Sequence, residues 1–400
     1  MVGIVADDLT GAADSGVQLA RAGYRTAVAF HGAAAAPDGG DFDAVVLDTD
    51  SRALAPEATR ARVLDAASSV AGAPIVMKKI DSTLRGHVGA EVAAALEGAG
   101  RRVAVVAPAF PAAGRTTAGG VQLLDGEPVH RTRFADDPVS PVREAHLPAL
   151  LAADGLDEVG HVRAGDATGL AEAMDRARCV VADAETDAHL EAVVRAVPDR
   201  SDVLWVGSAG LARALAAVHP GPGLAVEDQP DETEPRVLVV AGSANDVARE
   251  QVQRLVGSGV AGAGLSLGAL GAGATETCAA LAGRALREGR ACVVHPVGAG
   301  EGPDLPRRIA AALGDVAERL SDAGLVNAFV LTGGDTAVTV ARRLGATGLR
   351  VDDELEAGVP VGRLLGPRPY RVVTKAGGFG SPDVLRAACE ALAARERSAA

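Results

Sequence analysis

The chain has 400 residues, 48% of them hydrophobic, more than the roughly 250–300 residues at which a single core stops growing, so two domains are expected. A formal charge of −13 and an aromatic share of 2% exclude a general attraction to nucleic acid or to an anionic membrane surface, and any anionic ligand has to be met by a local pocket. No apolar run reaches the roughly 18 residues of a membrane span, and MVGIVADD opens on a strand-like run without the marks of a secretory signal, so a cytoplasmic protein is expected.

Short Val- and Ile-rich runs at 2–6, 25–30, 44–48, 74–78 and 102–107 alternate with stretches of helical spacing at 12–22, 56–71 and 88–98. That alternation predicts strands of a parallel sheet joined by helical crossovers. Residues 111–150, rich in Pro, Gly, Arg and Asp, interrupt it and read as an excursion over the ligand face. Strand-like runs return at 178–182 and 203–206, with a helix after 208. The stretch 219–235 is too rich in proline and acidic residues to build a core element and reads as a linker. Beyond it the alternation restarts: strands at 236–241, 291–296, 328–332 and 371–374, and helices at 245–256, 275–288, 304–323, 336–344 and 382–394. The expected architecture is therefore two Rossmann-like α/β domains with mainly parallel sheets, residues 1–218 and 236–400, joined by a Pro/acidic linker.

Ligands of open α/β sheets sit at the carboxyl ends of the strands, and three polar strings fall there in the first half. They are Ala6-Asp7-Asp8-Leu9-Thr10-Gly11, Asp48-Thr49-Asp50-Ser51-Arg52, and Lys78 to Gly86, which reads KKIDSTLRG. Either of Asp7 and Asp8 alone could merely cap a helix. The three strings together make a rim of carboxylates, hydroxyls and cations suited to a polyhydroxylated acid, with Arg forking a carboxylate and Asp and Ser binding hydroxyls. The three lysines of the chain, at 78, 79 and 375, all lie in such strings, although arginine fills every other cationic position.

In the second half, Gly242-Ser243, Thr332-Gly333-Gly334-Asp335-Thr336 and Lys375-Ala376-Gly377-Gly378-Phe379-Gly380 follow strands. Glycines at a helix start let backbone N–H groups approach an anion where the helix dipole favours phosphate. Three such loops in one domain point to a nucleotide. There is no P-loop string, and the one formal G-x-G-x-x-G, Gly257 to Gly262, follows a predicted helix and reads as a helix stop. Cysteines 179, 278, 292 and 389 are scattered and read as core thiols, the eight histidines form no zinc pattern, and no direct protein ligand for a metal is expected.

The strings ADDLTGAAD (6–14), KIDSTLRG (79–86), APAFPAAGR (107–115), GSAGLA (207–212), TGGDTA (332–337) and TKAGGFG (374–380) resemble the four-carbon acid sugar kinase family. The resemblance implies a sugar-acid-binding N-terminal domain, a nucleotide-binding C-terminal domain, and phosphorylation by ATP with Mg²⁺ of the terminal (4-) hydroxyl of an acid such as D-threonate or D-erythronate. It assigns the acid to Asp8 with Asp7, Arg52, Lys79, Ile80, Asp81, Ser82 and Arg85. It assigns ATP to Ser243, to Thr332, Gly333, Gly334, Asp335 and Thr336, and to Gly377, Gly378, Phe379 and Gly380; the loop itself lets Lys375 reach a phosphate. Asp335 and Asp8 both qualify as the base, with the balance towards Asp335. KIDSTLRG looks more like the threonate branch than the 3-oxo-tetronate branch, which stays as an alternative. Ala244-Asn245-Asp246 departs from the family's more hydroxyl-rich pattern. A sugar-acid sensor without chemistry is the reading from another class, and a homodimer is compatible with the sequence.

Overall fold

The computed structural model describes all residues except 33–40, 198, 224–233, 303 and 395–400. The first unit contains β1 (Val2–Ala6), α1 (Leu9–Arg21), β2 (Thr26–Ala29), β3 (Ala44–Asp48), α2 (Pro56–Ser69), β4 (Ile75–Lys79), α3 (Val88–Gly98) and β5 (Val103–Ala107). These are followed by β6 (Arg115–Ala118), β7 (Val121–Leu124), β8 (Glu127–Pro128), α4 (Leu147–Ala153), β9 (Val159–Val162), α5 (Ala167–Arg176), β10 (Cys179–Ala182), α6 (Asp187–Arg195), β11 (Val203–Gly207) and α7 (Ala209–Val218). Its parallel sheet runs β2-β3-β1-β4-β11-β5-β10-β9. Strands such as Val-Gly-Ile-Val-Ala and Val-Ala-Val-Val-Ala are buried throughout, as crossover helices on both faces of a parallel sheet require.

Strand order fixes where a ligand can enter. From β1 the chain moves to β2 and β3 on one side and then crosses to β4 on the other, so the crevice outside the ends of β3, β1 and β4 is a topological switch point. Register sharpens this, because Ala6 pairs with both Asp48 and Lys79. The three polar strings therefore leave the sheet side by side. The excursion at 111–150 forms the antiparallel sheet β6-β7-β8 and leads into α4.

The second unit contains β12 (Val237–Ala241), α8 (Asp246–Gly257), β13 (Ala261–Ser266), α9 (Ala272–Glu288), β14 (Ala291–Val297), α10 (Leu305–Asp322), β15 (Ala328–Thr332) and α11 (Gly334–Arg343). It ends with β16 (Gly348–Glu354), β17 (Pro360–Leu365), β18 (Arg371–Lys375) and α12 (Val384–Ala393). The order is β13-β14-β12-β15-β18-β17-β16, parallel from β13 to β18 and antiparallel from β18 through β17 to β16. Thr332 pairs with both Ala241 and Lys375, which puts the three glycine-containing loops next to one another.

Several elements depart from the sequence reading. Strand β13, Ala-Gly-Ala-Gly-Leu-Ser, carries almost no β-branched signal and borrows its conformation from pairing along β14. The β16–β17 hairpin, α4, β9, α5 and α6 were also not anticipated. The G-x-G-x-x-G string is a helix end followed by a strand: α8 stops at Gly257 and Gly259 takes φ +99°. The start of the expected linker is tied to the first unit, since the Tyr24 hydroxyl donates to the His219 carbonyl and Gly221 N–H donates to Ala22 O at 2.9 Å. Residues 224–233 of that linker lie outside the described residues.

Candidate active site

In the first unit, Asp8 caps α1, its Oδ1 accepting from Gly11 N–H at 3.0 Å. Arg52 grips both aspartates after β1. Its Nη1 and Nη2 donate to Asp8 Oδ2 and Oδ1 at 3.0 and 2.7 Å, and its Nε donates to Asp7 Oδ2 at 2.6 Å. Arg85 forks Asp81 in the same way, Nε to Oδ2 at 3.0 Å and Nη2 to Oδ1 at 3.1 Å. Asp81 also accepts from Thr83 N–H, the Thr83 hydroxyl and Arg85 N–H, a turn that holds Leu84 at φ +64°. Such a left-handed non-glycine residue costs of order 1–3 kcal/mol and persists where its surroundings fix it.

Lys79, 4% exposed, makes no side-chain hydrogen bond among the described residues. It sits against the start of α1, where a Cβ on Gly11 would lie 2.5 Å from Nζ. Glycine at 11 is thus needed for the ammonium to reach this place. Ile80 contributes no side chain to the rim: it is 1% exposed in the core, and its N–H donates to Gly207 O at 2.9 Å. Ser82 is partly exposed, and its carbonyl accepts from Gln122 Nε2 at 2.8 Å.

Burial works to raise the Asp7 pKa, but the charges of Arg52, Lys78 and Lys79 outweigh it and hold the carboxyl below its usual range. Asp81 follows the same pattern, with Arg52 and Arg85 outweighing burial. Asp48 goes the other way. Burial, helped by the charges of Asp8, Asp50 and Asp7 and opposed by the Asp50 N–H, pushes it up to about 7.

In the second unit, no side chain caps α11, and Gly333 stands at its start with φ +102°. The first-turn N–H groups are therefore available to an anion. Asp335 is exposed in that turn and has no hydrogen-bond partner among the described residues. Lys375, 4% exposed, donates to Thr332 Oγ1 at 3.0 Å and Gly377 O at 3.2 Å, and burial lowers its pKa to about 8. A Cβ on Gly377 would collide with Ser243 Oγ, and one on Gly242 with Thr336 Oγ1. The backbones of the three loops thus approach more closely than any other residue allows. Phe379 stays 46% exposed, its ring lying against Gly358.

These features fit a polyphosphate: a bare helix start, a desolvated ammonium, and glycines that clear a cradle. Among the described residues no three His, Cys, Asp or Glu side chains gather as a metal set.

Four supporting residues escaped sequence reading. Glu91 on α3 pairs with buried Lys78, and a lone carboxylate among the apolar residues of Val-Gly-Ala-Glu-Val-Ala-Ala-Ala-Leu could have shown it. Gln122 holds the Ser82 carbonyl, and Gln251 on α8 donates to the carbonyls of Phe379, Gly380 and Ser381 at 3.0, 3.1 and 3.0 Å. Glu356 accepts from Ser381 N–H and Oγ, both at 2.6 Å. Nothing in their local sequence marks these three.

Comparison with known proteins bears on the same regions. A family described as a sugar-binding N-terminal domain matches residues 2–215, and one described as a nucleotide-binding C-terminal domain matches residues 238–385. A D-threonate kinase of Bordetella bronchiseptica is 38% identical, covering 99% of this chain and 98% of its own length. A D-threonate kinase of Cupriavidus necator is 39% identical over 97% of both chains. The chain belongs to the four-carbon acid sugar kinase family. A D-erythronate kinase of Heliobacterium modesticaldum, also in this kinase family, is 32% identical, covering 96% of this chain and 95% of its own length. Among solved structures, a putative tRNA synthase of Salmonella typhimurium shares the fold with a TM-score of 0.82 at 23% identity, covering 96% of this chain and 98% of that one. A Bordetella bronchiseptica protein solved with bound citrate as a domain-swapped dimer is 35% identical with a TM-score of 0.51, covering 98% of this chain and 99% of that one.

Proposed function

We propose that this sugar-acid kinase transfers the γ-phosphoryl group of ATP to the 4-hydroxyl of D-threonate. The observation that carries the choice of acid is the full-length likeness to D-threonate kinases at 38 and 39% identity, against 32% for the D-erythronate kinase. In this reading residues 1–218 bind the acid and residues 236–400 the nucleotide.

On the acid's side, Asp8 orients a hydroxyl, Asp7 acts through Arg52, and Lys79, Asp81, Ser82 and Arg85 complete the rim. On the nucleotide's side, Lys375, the α11 N–H groups, Ser243 and the backbone of Gly377, Gly378, Phe379 and Gly380 hold phosphates. Mg²⁺ held by the ATP phosphates would supply charge neutralisation on the transferring group. Asp335 takes the proton of the 4-hydroxyl. Its carboxylate is unclaimed, whereas both oxygens of Asp8 are engaged by Arg52 and Gly11, which suits Asp8 to holding and not to accepting. Positioning and charge neutralisation supply most of the acceleration.

The proposal extends to a cytoplasmic enzyme, in keeping with the family's metabolic substrates and with the lack of any helix among the described residues long and apolar enough to cross a membrane. It also includes a homodimer, on the ground of the dimeric Bordetella relative. ADP release from a panel of D-threonate, L-threonate, D-erythronate and 3-oxo-tetronate tests the reading. D-Threonate should give the highest kcat/KM; preference for another acid overturns the substrate, and binding without ADP release overturns the kinase.

A further inference from the structure

Behind the rim lies a charge pair that the proposed chemistry does not use. Lys78 on β4 is wholly buried, and Glu91 on α3, 1% exposed, meets its Nζ with Oε2 at 2.6 Å. An apolar pair of similar volume often serves such a position at no loss of stability, so a buried ion pair is weak evidence of a stabilising role. The surroundings supply another reason for it. Lys78 pairs in register with Val5, two residues before Asp7, and its charge is one of those that keep Asp7 ionised. Asp7 Oδ2 takes Arg52 Nε, while its Oδ1 is buried with no hydrogen-bond partner among the described residues. Glu91 Oε1 accepts from His87 N–H at 3.2 Å. A Cβ on Gly86 (φ +95°) would lie 3.1 Å from Glu91 Oε1 and 3.4 Å from Asp7 Oδ2. The ammonium also donates to Lys79 O at 2.7 Å, fixing the backbone of the neighbouring rim cation. The other charges around Asp7 are Asp8, Lys79 and Asp48.

We infer that Lys78 and Glu91 are positioning residues for acid recognition: Lys78 places its ammonium behind Asp7 and holds the Lys79 carbonyl, Glu91 anchors Lys78, and Arg52 on Asp7 is thereby held ready at the rim. The inference rests on the reading that the acid binds there. A merely structural pair and a positioning pair differ in what a stable, uncharged replacement does.

The test compares Lys78→Met, Glu91→Gln, the double variant Lys78→Met/Glu91→Leu, and Arg52→Ala. Each is assayed for thermal unfolding, for kcat, and for KM with D-threonate and with ATP. The double variant should unfold near the wild-type midpoint yet raise the D-threonate KM about ten- to a hundredfold, the range over which outer-shell partners act on the groups they orient. Its kcat and ATP KM should stay near wild type. Glu91→Gln, which leaves the Lys78 charge beside Asp7, should raise the acid KM less than Lys78→Met. If Lys78→Met fails to fold, the double variant decides alone. A stable double variant with wild-type acid KM overturns the inference, as do equal rises in the two single variants. If Arg52→Ala leaves the acid KM unchanged, the rim is not the acid site and both readings fall. If Arg52→Ala raises it while the double variant does not, only the positioning role is lost.

Discussion

The ammonium of Lys375 lies 3.0 Å from the hydroxyl of Thr332, so a buried cation at the end of β18 is held by the end of β15. Burial lowers its pKa to about 8, against 10.5 for a free lysine. The folded protein thus releases this proton at lower pH than the unfolded chain, and stability from this group rises between about pH 8 and 10.5. Function should move the opposite way: above about pH 8 the charge proposed to meet phosphate is lost. We expect kcat/KM for ATP to fall on the alkaline side and Lys375→Arg to move that limb to higher pH. Lys375→Ala should weaken ATP use far more than acid binding; equal losses in separate titrations would count against the assignment of ligands to domains.

For the base, Asp335→Asn keeps size and removes the proposed proton acceptor. We expect kcat to fall about 10²–10⁴-fold, the usual range for general base catalysis, with ATP binding retained. Asp8→Asn should mainly raise the acid KM, because it weakens the Arg52 fork. The reverse split, measured as kcat and acid KM for both variants, exchanges the two roles.

Gln251 ties down three successive carbonyls of the 377–381 loop with one amide nitrogen. Gln251→Leu leaves those acceptors without their donor in a site where Gln251 is 1% exposed. A loss of about 1–3 kcal/mol is expected from unsatisfied buried polar groups, read as a lower denaturation midpoint, together with a higher KM for ATP. An unchanged ATP KM would mean that the loop keeps its shape without this clamp.

Asp48 gives a pH signature of opposite sign to the ordinary carboxylate. Its pKa is raised to about 7 in the folded chain from 3.8, so the folded state holds the proton more tightly. Its stabilising contribution is complete below about pH 4 and disappears as pH rises through 7. Asp48→Asn, which keeps the shape without the charge, should therefore gain stability over wild type at pH 8 and not at pH 4. Unfolding midpoints across that range check this, and a gap independent of pH would refute it.

Sequence reading went furthest where one residue type has one job. Strand ends such as Val5-Ala6-Asp7 and Leu331-Thr332-Gly333 change from apolar to polar at the point where the sheet stops, so both the α/β layout and the strings around the candidate site were legible. Pairing was not: that Ala6 faces both Asp48 and Lys79 follows from strand order, which lies in no local string. Strand β13 was invisible because Ala261 and Gly262 carry no strand preference of their own. Ile80 misled because it stands between Lys79 and Asp81, yet alternation along the strand end turns it into the core. Gln122 and Gln251 act across long stretches of chain, and a lone glutamine looks the same on a surface as in a clamp.

All three lysines of the chain are enclosed: Lys78 is 0% exposed, and Lys79 and Lys375 are 4% exposed. Acylating reagents and amine cross-linkers therefore find no open ε-amino group on the native surface. Lys375, at the proposed phosphate site and with its depressed basicity, would be the first of the three to react and would be shielded by nucleotide, whereas Lys78, behind the rim, reacts only in a molecule whose strand ends have parted. In most proteins lysine labelling maps the outside; in this one it reports first on the candidate ligand sites and, at Lys78, on the opening of the inside.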